Sequence, residues 1–594
     1  MTASKRLITT LATISVVAAC TAPTSSTSSP EITTAPPTIA EEDFDSFVEE
    51  SFRTIVERQP ELVTELGLDK AYGTRPARLD DLSPAYLDET AGVIARTLAG
   101  LEAYSFAELS DDQQLTYLSY QWHLEQMVDA HRYRLHDWPV HFLLNSYNQG
   151  VILLLTLIHP LNSSSDADDF LKRLEALPEQ VNQVVSWMED SEIAGVLPPR
   201  YVVEITIQQL RGDIAAGDAA STELLRSFEA RLSQSGLSPD DLDDHVERAG
   251  EAIEAHFIPS WRNLIEHLEG LLDSTDDSVS LSRLPDGDGY YAHLLALHTS
   301  TELTAVEIHQ MGQTEAERIK AEMRALATAA GLPATEINAI RAAFADLGGL
   351  VDGDAIVSTY EELIEDAEER FSPYFDLIPD IPLEVRVDDG PTAFYVGPAV
   401  DGSRPGVFYA ATGRGAVRGH TMASLAYHEA IPGHHFQISL AQELDIPSPR
   451  RYLTSTGHVE GWALYAERLA EEIGVYEGNP AGSFGRLDFE LLRAARLVVD
   501  TGIHHLGWSR SEALEQMTEI MEGDHFNHEV DRYVLYPAQA TAYLVGMNEI
   551  LRLRDLAGAV VTDLDSMARF HRAVIGQGNI PLGVLGETIP TAAG

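Results

Sequence analysis

The chain has 594 residues, of which 93 are acidic and 40 are basic, so its formal net charge is -53. A hydrophobic content of 44% is typical of a globular protein with a large core, whereas the negative charge argues against nucleic acid as a partner, because phosphate groups would be repelled. The single cysteine excludes a disulfide scaffold, an iron–sulfur protein and a cysteine-based zinc site.

The N-terminal segment predicts export and lipidation. Residues 1–19 combine a basic start with an apolar run too short to span a bilayer, which is the pattern of a secretory signal peptide. The sequence Val-Ala-Ala before Cys20 resembles a bacterial lipobox, so we expect Cys20 to be lipidated, and residues 20–41 continue as a Thr-, Ser- and Pro-rich linker. We therefore predict an extracytoplasmic protein anchored by lipid to the outer leaflet of the cytoplasmic membrane. The alternative is an ordinary signal peptide followed by a chance cysteine.

Apolar residues recur at helical spacing through the first part of the mature chain. This pattern predicts helices over about 84–104, 111–132, 166–190, 201–235 and 239–272. Acidic residues are spread along these helices, which is typical of a solvated surface. We expect residues 42–282 to form a helical N-terminal lobe.

The second part of the chain, over residues 283–594, adds a short β-rich segment. The runs LEVRV, TAFYV and GVFYAAT, within residues 383–412, are separated by turn signals and predict a small antiparallel sheet. Helical spacing then predicts helices over about 418–431, 434–444, 457–473, 485–506, 509–522 and 533–555. The predicted fold class is mainly α, with two helical lobes and the small sheet near the helix of the second lobe that carries residues 428–435.

The segment HEAIPGHH, residues 428–435, has the composition of a zinc hydrolase helix. Histidines supply neutral imidazoles that bind Zn²⁺, and three protein ligands leave one position for water. The carboxylate of Glu429, directly after His428, is suited to take a proton from that water as it attacks a carbonyl group. The segment therefore predicts a metal site with Glu429 as its catalytic base.

The spacing of the histidines departs from the familiar motif His-Glu-x-x-His, because Pro432 stands where the second ligand is expected. On a regular helix one zinc ion cannot join His428 to histidines six and seven residues further on. Proline removes a helical hydrogen bond and Gly433 permits unusual dihedral angles. We expect a bulge or kink of two extra residues that brings His434, or as second choice His435, to the metal.

A third ligand is expected from a later helix. Glu460 follows His434 by 26 residues, which is room for the chain to double back and set an antiparallel helix beside the first. Two histidines and one glutamate would then hold one Zn²⁺ ion per chain. His458 and Glu467 are rival ligands, and Glu467 is alternatively an acceptor that orients a ligand imidazole.

Other polar residues are candidates for a substrate cleft. Arg496, Asp500 and His504 are spaced to share one helical face. There Asp500 would hold a catalytic His504, and Arg496 or His504 would meet a substrate carboxylate; a salt-bridged surface stripe is the alternative. Tyr395 and the sheet around it are expected to offer backbone hydrogen bonds to an extended peptide.

A tyrosine near the metal is expected to stabilise the oxyanion of a tetrahedral intermediate. Tyr533 is the candidate, with Tyr536 and Tyr543 as alternatives. Arg532 and Gln539 lie close to it in sequence, and we assign both to substrate binding.

Several of these segments together resemble the bacterial family DUF885, which includes many predicted lipoproteins. They are LPDGDGYYAHLLALHTSTELTAVEIHQMG (284–312), AFYVGPAVDGSRPGVFYAAT (393–412), AYHEAIPGHHFQ (426–437), EGWALYAERL (460–469), RLVVDTGIHHLGW (496–508) and EVDRYVLYPAQATAYLVG (529–546). The resemblance covers most of the mature chain and implies a zincin-like fold related to helical metallopeptidases such as the Taq-type carboxypeptidases. The matching metal-site residues are His428, Glu429, His434 or His435, and Glu460. One departure is Ala538, where the family usually has glycine.

The sequence therefore predicts a zinc-dependent metallohydrolase. We expect an exopeptidase or oligopeptidase that cleaves peptide substrates by Glu-assisted attack of zinc-bound water. Two alternatives stay open: a non-catalytic surface-binding lipoprotein that retains a zincin fold, and an amidase or esterase that acts on a small non-peptide substrate.

Overall fold

Helices dominate the structure, a computed structural model that describes residues 43–592 except 334, 389, 391–392, 414 and 524. The predicted signal peptide, Cys20 and the linker lie outside the described residues. Within the described ranges, no helix is both long and apolar enough to cross a membrane. The prediction of a mainly α fold is confirmed.

Eleven helices occupy the first part of the described chain. Helices α1 to α11 are Phe44–Val56, Pro60–Leu66, Asp69–Tyr72, Pro84–Leu101, Asp111–Arg132, Tyr147–Leu153, Ser164–Ile193, Arg200–Asp213, Glu223–Leu232, Pro239–Ala252 and Ile258–Leu271. The single helix predicted over 201–235 is two helices, α8 and α9. They are separate because Gly217 takes a left-handed conformation, with φ of 74°, and the Thr222 side chain caps the start of α9.

Fourteen helices follow in the second part of the described chain. Helices α12 to α25 are Gly287–Thr299, Ala305–Ala329, Ile337–Gly348, Ala355–Phe371, Gly419–Glu429, His434–Glu443, Ser448–Tyr452, Thr456–Glu472, Pro480–His504, Arg510–Met521, Asn527–Leu535, Ala542–Leu556, Leu564–Ile575 and Leu582–Ala592. The helix predicted over 533–555 is also interrupted, between α22 and α23. Pro537 has no N–H to continue a helix, and Ala538 takes a left-handed conformation with φ of 66°. That conformation explains why glycine suits this position.

The sheet has the three predicted strands but a different pairing. The strands are β1 (Leu350–Val351), β2 (Leu383–Asp388), β3 (Phe394–Val396), β4 (Gly406–Ala411) and β5 (Val417–Arg418). Strand β4 lies in the centre, antiparallel to β3 and parallel to β2, while β1 and β5 form a separate antiparallel pair. The prediction of a wholly antiparallel sheet is therefore wrong. Alternation and turn signals locate strands, but they do not determine that the last strand inserts between the first two.

The largest cluster of buried apolar residues surrounds α16, α19 and α20. Helix α20 is buried along most of its length and packs against α13 and α16. A second cluster lies within residues 140–271, and a third joins α1 to Tyr452 and Leu453 of the C-terminal part. The proposed boundary between lobes at residue 282 stays a prediction.

Helix α19, which carries Glu460, packs closely against α23 through glycines. A Cβ atom at Gly461 would lie 2.5 Å from backbone atoms of Gly546, and one at Gly546 would lie 2.1 Å from the carbonyl oxygen of Gly457. Real side chains do not fit at such distances, so the approach of the two backbones requires glycine. The contact is at the residue next to Glu460, so it fixes the position of α19 close to that side chain.

We expect Gly461→Ala to lower the free energy of unfolding by about 1–3 kcal/mol, because the added methyl group must push α19 away from α23. Gly270→Ala in α11 is a matched control, since a Cβ there meets nothing within 4 Å. That change should be neutral or stabilising by up to about 1 kcal/mol. Urea unfolding measures both variants, and equal effects would contradict the role of the close helix contact.

Candidate metal centre

The HEAIPGHH segment forms two helices joined by a sharp turn. Helix α16 ends at Glu429, the Ile431–Pro432 peptide bond is cis, and α17 begins at His434. The predicted bulge or kink within one helix is therefore wrong in form, because the helix ends completely. Ala430 leaves the helical region, and proline offers no N–H with which a continuous helix could be built.

Two contacts determine the shape of this turn. A Cβ atom at Gly433 would lie 1.9 Å from the carbonyl oxygen of His428, so the position accepts only glycine. The indole Nε1 of Trp462, in α19, donates a hydrogen bond to the carbonyl oxygen of Pro432 at 2.8 Å. The helix that carries Glu460 therefore also holds the turn that directs His434.

His428, His434 and Glu460 converge on one point. Nε2 of His428 lies 3.6 Å from Oε2 of Glu460, and Nε2 of His434 lies 3.4 Å from the same oxygen. The three potential ligand atoms all lie within 4.8 Å of one another, and all three residues are buried. In the part of the chain that the structure describes, no other group of His, Cys, Asp or Glu has this geometry.

The polar atoms of this cluster fit a shared cation. Nε2 of His434 and Oε2 of Glu460, which lie 3.4 Å apart, are both buried without a hydrogen-bond partner among the described residues. Such atoms are costly to bury unless something binds them. Ligands that hold Zn²⁺ tetrahedrally at about 2.0–2.1 Å lie about 3.3 Å apart, close to the distances from both imidazoles to Glu460. The set of two imidazoles and one carboxylate therefore suits zinc.

The electrostatics of the cluster couple these groups. Burial disfavours the charged form of His428, but the carboxylates of Glu460 and Glu467 outweigh it and raise the pKa of His428 to about 9. Burial likewise opposes the charged form of Glu460, but the two imidazoles hold the pKa of that carboxyl well below its usual range. The cluster thus keeps the carboxylate charged inside the protein.

Glu467 lies behind His428 as an acceptor. Nδ1 of His428 donates to Oε1 of Glu467 at 2.8 Å, and the hydroxyl of Ser424 donates to the other carboxylate oxygen. This arrangement orients the imidazole and leaves its Nε2 directed at the cluster. Of the two alternatives for Glu467, the geometry matches the orienting acceptor and not the ligand.

Glu429 is buried beside the cluster. Its Oε2 has no hydrogen-bond partner among the residues that the structure describes. Burial raises the pKa of the Glu429 carboxyl, although His428 and His434 oppose the shift. A carboxylate oxygen that no other group engages is what a proton acceptor needs.

His435 and His458, the other candidate ligands, form hydrogen bonds with groups outside the cluster. His435 accepts a hydrogen bond from the Tyr395 hydroxyl at 2.9 Å on Nδ1 and donates from Nε2 to a backbone carbonyl at 3.1 Å. His458 bonds backbone groups of the C-terminal segment through both ring nitrogens. The side chain of Tyr395 is buried. Its strand, β3, lies at the edge of the three-stranded sheet. The expectation that this backbone offers hydrogen bonds to an extended peptide stays a prediction.

The predicted pair of Asp500 and His504 does not form. His504 donates from Nε2 to the carbonyl oxygen of Tyr533 at 2.9 Å and accepts a backbone N–H on Nδ1. Asp500 instead accepts from the Tyr291 hydroxyl at 2.6 Å and from the backbone N–H of Ala538. Helical spacing places residues on one face, but it does not show which neighbouring element occupies their polar atoms. His504 is thus a structural histidine in this fold.

Arg496 and Tyr533 share a half-buried acidic partner, Glu529, that sequence reasoning missed. Arg496 donates from Nε and Nη2 to Glu529 at 3.0 and 3.1 Å, and the Tyr533 hydroxyl donates to the same carboxylate at 2.8 Å. Nε and Nη2 of Arg496 and the hydroxyl of Tyr533 are therefore already hydrogen-bonded to Glu529. This argues against the predicted roles of Arg496 in binding a substrate carboxylate and of Tyr533 in stabilising an oxyanion. The i, i+4 spacing of Glu529 and Tyr533 is the signal that could have revealed the contact.

Tyr543, the alternative tyrosine, lies beside the cluster of His428, His434 and Glu460. Its ring is nearly parallel to the His428 ring, with 6.2 Å between their centroids. Its hydroxyl accepts from Nη2 of Arg532 at 2.9 Å, and the same nitrogen donates to the Gln539 side chain at 2.5 Å. The structure thus brings together Arg532, Gln539 and Tyr543, while the Tyr533 hydroxyl is bound to Glu529.

The comparisons identify the family. The sequence profile described as "Bacterial protein of unknown function (DUF885)" matches residues 60–589, and no curated protein matches the chain. A crystal structure from Colwellia psychrerythraea, described as a "putative lipoprotein", has a TM-score of 0.85 at 23% identity, covering 93% of this chain and 98% of that one. A structure from Shewanella oneidensis, described in the same words and as of unknown function, has a TM-score of 0.68 at 19% identity, covering 92% and 100%. These likenesses show a shared fold, and the profile match over most of the chain shows that the protein belongs to the DUF885 family.

Proposed function

We propose that this protein is a zinc-dependent metallohydrolase, and specifically an exopeptidase or oligopeptidase. The observation that carries the proposal is the convergence of His428, His434 and Glu460 beside the unpartnered carboxylate oxygen of Glu429. We propose further that α16, α17 and α19 are the metal-binding helices of a zincin-like fold with two lobes. The resemblance to zincins seen in the sequence supports this assignment.

Each residue of the site has a defined task in this proposal. His428, His434 and Glu460 would hold the ion, and Glu467 orients His428. A zinc ion bound there would polarise a substrate carbonyl group and make a water molecule more acidic. Oε2 of Glu429 accepts the proton of the attacking water and later delivers it to the leaving amine.

Tyr543 is the group that we assign to the oxyanion. Its hydroxyl accepts a hydrogen bond from Arg532, so its own proton is free to be donated. A donor that is itself polarised by a guanidinium group forms a stronger hydrogen bond to developing negative charge. This assignment replaces Tyr533.

The burial of the site supports short peptides as substrates. The three ligand residues and Glu429 are each 5% exposed or less. A peptide bond in the body of a folded protein cannot reach such groups without unfolding, whereas the end of a short chain needs only a narrow opening. Low exposure also keeps bulk water away, which strengthens electrostatic interactions in the site.

We also propose that the protein is anchored through lipidated Cys20 outside the cytoplasm. The lipobox-like residues before Cys20 support the anchor, as does the description of each of the two related structures as that of a "putative lipoprotein". The peptide substrate would then be met on the outer side of the cytoplasmic membrane.

We expect His428→Ala and Glu460→Ala to lose bound zinc, because two donors cannot replace three. Glu429→Gln should keep zinc but lower peptide hydrolysis by about 10²- to 10⁴-fold, since only the proton acceptor is removed. Elemental analysis after dialysis measures the metal, and mass spectrometry of peptide mixtures measures hydrolysis. His435→Gln is the matched control for zinc content. Wild-type protein that binds no zinc and cuts no peptide after zinc is added would favour a non-catalytic binding protein.

Glu467→Gln should weaken zinc binding by about 10- to 100-fold, because the amide holds the His428 imidazole less firmly than the carboxylate does. Competition with a chromophoric chelator measures the affinity. Glu472→Gln is the control and should bind zinc normally. Glu472 lies on the same helix, but its carboxylate pairs with Nη1 of Arg554 at 2.6 Å. An unchanged affinity in the Glu467 variant would argue against the orienting role.

Cys20→Ser should abolish incorporation of labelled fatty acid and move the protein from the membrane fraction to the soluble extracytoplasmic fraction. The hydroxyl group of serine cannot carry the thioether-linked lipid. Labelling and fractionation of cells that express each form test this. A variant that stays in the membrane fraction would show that something other than Cys20 retains the protein.

A further inference from the structure

Three guanidinium groups surround the ring of Tyr543. The carbon atoms at the centre of the Arg493, Arg496 and Arg532 guanidinium groups lie 5.6, 4.8 and 5.7 Å from the ring centroid. The whole chain carries a formal net charge of -53. Against that background, a concentration of positive charge beside the metal cluster points to a function for it.

The three arginines differ in how their charge is balanced. Arg496 forms two hydrogen bonds to the carboxylate of Glu529. Arg493 lies 3.7 Å from an oxygen of Glu467 that already accepts from His428. Neither guanidinium group is therefore without an acidic neighbour.

Arg532 is not paired in this way. Its hydrogen bonds go to the neutral side chains of Gln539 and Tyr543, and among the described residues no carboxylate accepts a hydrogen bond from it. The Glu529 carboxylate acts on the charge of Arg532 only from further away, because its oxygens are bound by Arg496 and Tyr533. Both hydrogen bonds use Nη2, so its Nε and Nη1 keep N–H groups to donate. The residue is only partly buried, so a ligand can reach these donors. A guanidinium group presents its N–H groups in a planar fork that matches a carboxylate.

The distance from this group to the metal cluster suits a short peptide. The ring of Tyr543 is close to both groups: its centroid lies 5.7 Å from the guanidinium carbon of Arg532 and 6.2 Å from the centroid of the His428 ring. The guanidinium group therefore lies no more than about 12 Å from the His428 ring. An extended peptide rises about 3.3 Å per residue, so about three residues at most fit between the two points.

We infer that Arg532 is a specificity-determining residue that binds the C-terminal carboxylate of a short peptide whose scissile bond lies at the metal cluster. The inference rests on the proposed function and names its substrate class. The substrates are peptides with a free C-terminus, cut within about three residues of that end. Gln539 and Tyr543 position the guanidinium group, and Arg496, which is held by Glu529, does not take part directly.

The first experiment needs no variant. Zinc-loaded wild-type protein is given two randomised tetrapeptide libraries that differ only in a free or an amidated C-terminus. We expect the free-acid library to be cut at least about tenfold faster, because hydrogen bonds between charged groups are lost with the amide. Equal rates would overturn the inference and leave the proposed peptidase activity standing. Failure to cut either library would overturn the proposed function itself.

A third library separates the two sources of a carboxylate. It has amidated C-termini and a fixed Asp or Glu as its last residue. Cleavage at the rate of the plain amidated library supports recognition of the terminal carboxylate. Cleavage as fast as the free-acid library would overturn that part of the inference, because an acidic side chain would then be the recognised group.

Substitution of Arg532 tests whether this residue is the source of the preference for a free C-terminus. Arg532→Gln should lower kcat for both kinds of peptide, because Tyr543 loses the group that polarises it, but it should raise KM for free-acid peptides by about 10- to 100-fold relative to KM for amidated peptides, with Arg532→Lys between wild type and Gln. Arg554→Gln is the matched control, because Arg554 also lies over a tyrosine ring but is paired with Glu472. It should keep the wild-type preference. A variant of Arg532 that retains the full preference would contradict the assignment.

Binding gives a readout that does not depend on turnover. Glu429→Gln protein, with and without Arg532→Gln, is titrated calorimetrically with one tripeptide as acid and as amide. We expect the acid to bind more tightly only when Arg532 is present. If Arg532→Gln fails to fold, the preference of the Glu429→Gln protein for the acid still decides the question, since equal affinities would overturn the inference.

Discussion

The hydrogen bond from Trp462 to the carbonyl oxygen of Pro432 ties the two parts of the candidate site together. Glu460 and Trp462 lie on one helix, so that helix supplies a carboxylate and also holds the turn before His434. The backbone of Gly433 closes the turn against the carbonyl of His428. The relative positions of two histidines and one glutamate thus depend on a few rigid contacts and not on loop flexibility.

Those contacts are supported from outside by close helix packing. Helix α19 meets α23 through glycines on one side, and α20 lies behind α16 on the other. Polar groups fill the space between these helices, with Ser424, Glu467 and Arg493 behind His428. Buried charges are tolerated there because their polar atoms have partners, with the exception of the atoms that face the candidate site. The unpartnered atoms of His434, Glu460 and Glu429 stand out for that reason.

Local sequence patterns predicted most of the helices, since apolar spacing records which face is buried. They also singled out His428, His434 (with His435 as second choice) and Glu460, from the composition of the HEAIPGHH segment and the distance in sequence to a later helix. The patterns failed where the answer depends on a distant segment. The pairing of β2 with β4, the engagement of His504 by backbone groups, and the capture of Arg496 by Glu529 are contacts between elements remote in sequence. Ala538 marks the opposite case, in which a single departure from glycine pointed correctly to a constrained turn.

The complete break between α16 and α17 has an electrostatic consequence. A helix carries a macrodipole, with about half a unit of negative charge at its carboxyl end and about half a unit of positive charge at its amino end. His428 and Glu429 form the last residues of one helix, and His434 is the first residue of the next. Poles of opposite sign therefore lie within a few residues of each other. One pole favours a cation, the other favours an anion, and an unbroken helix would offer neither.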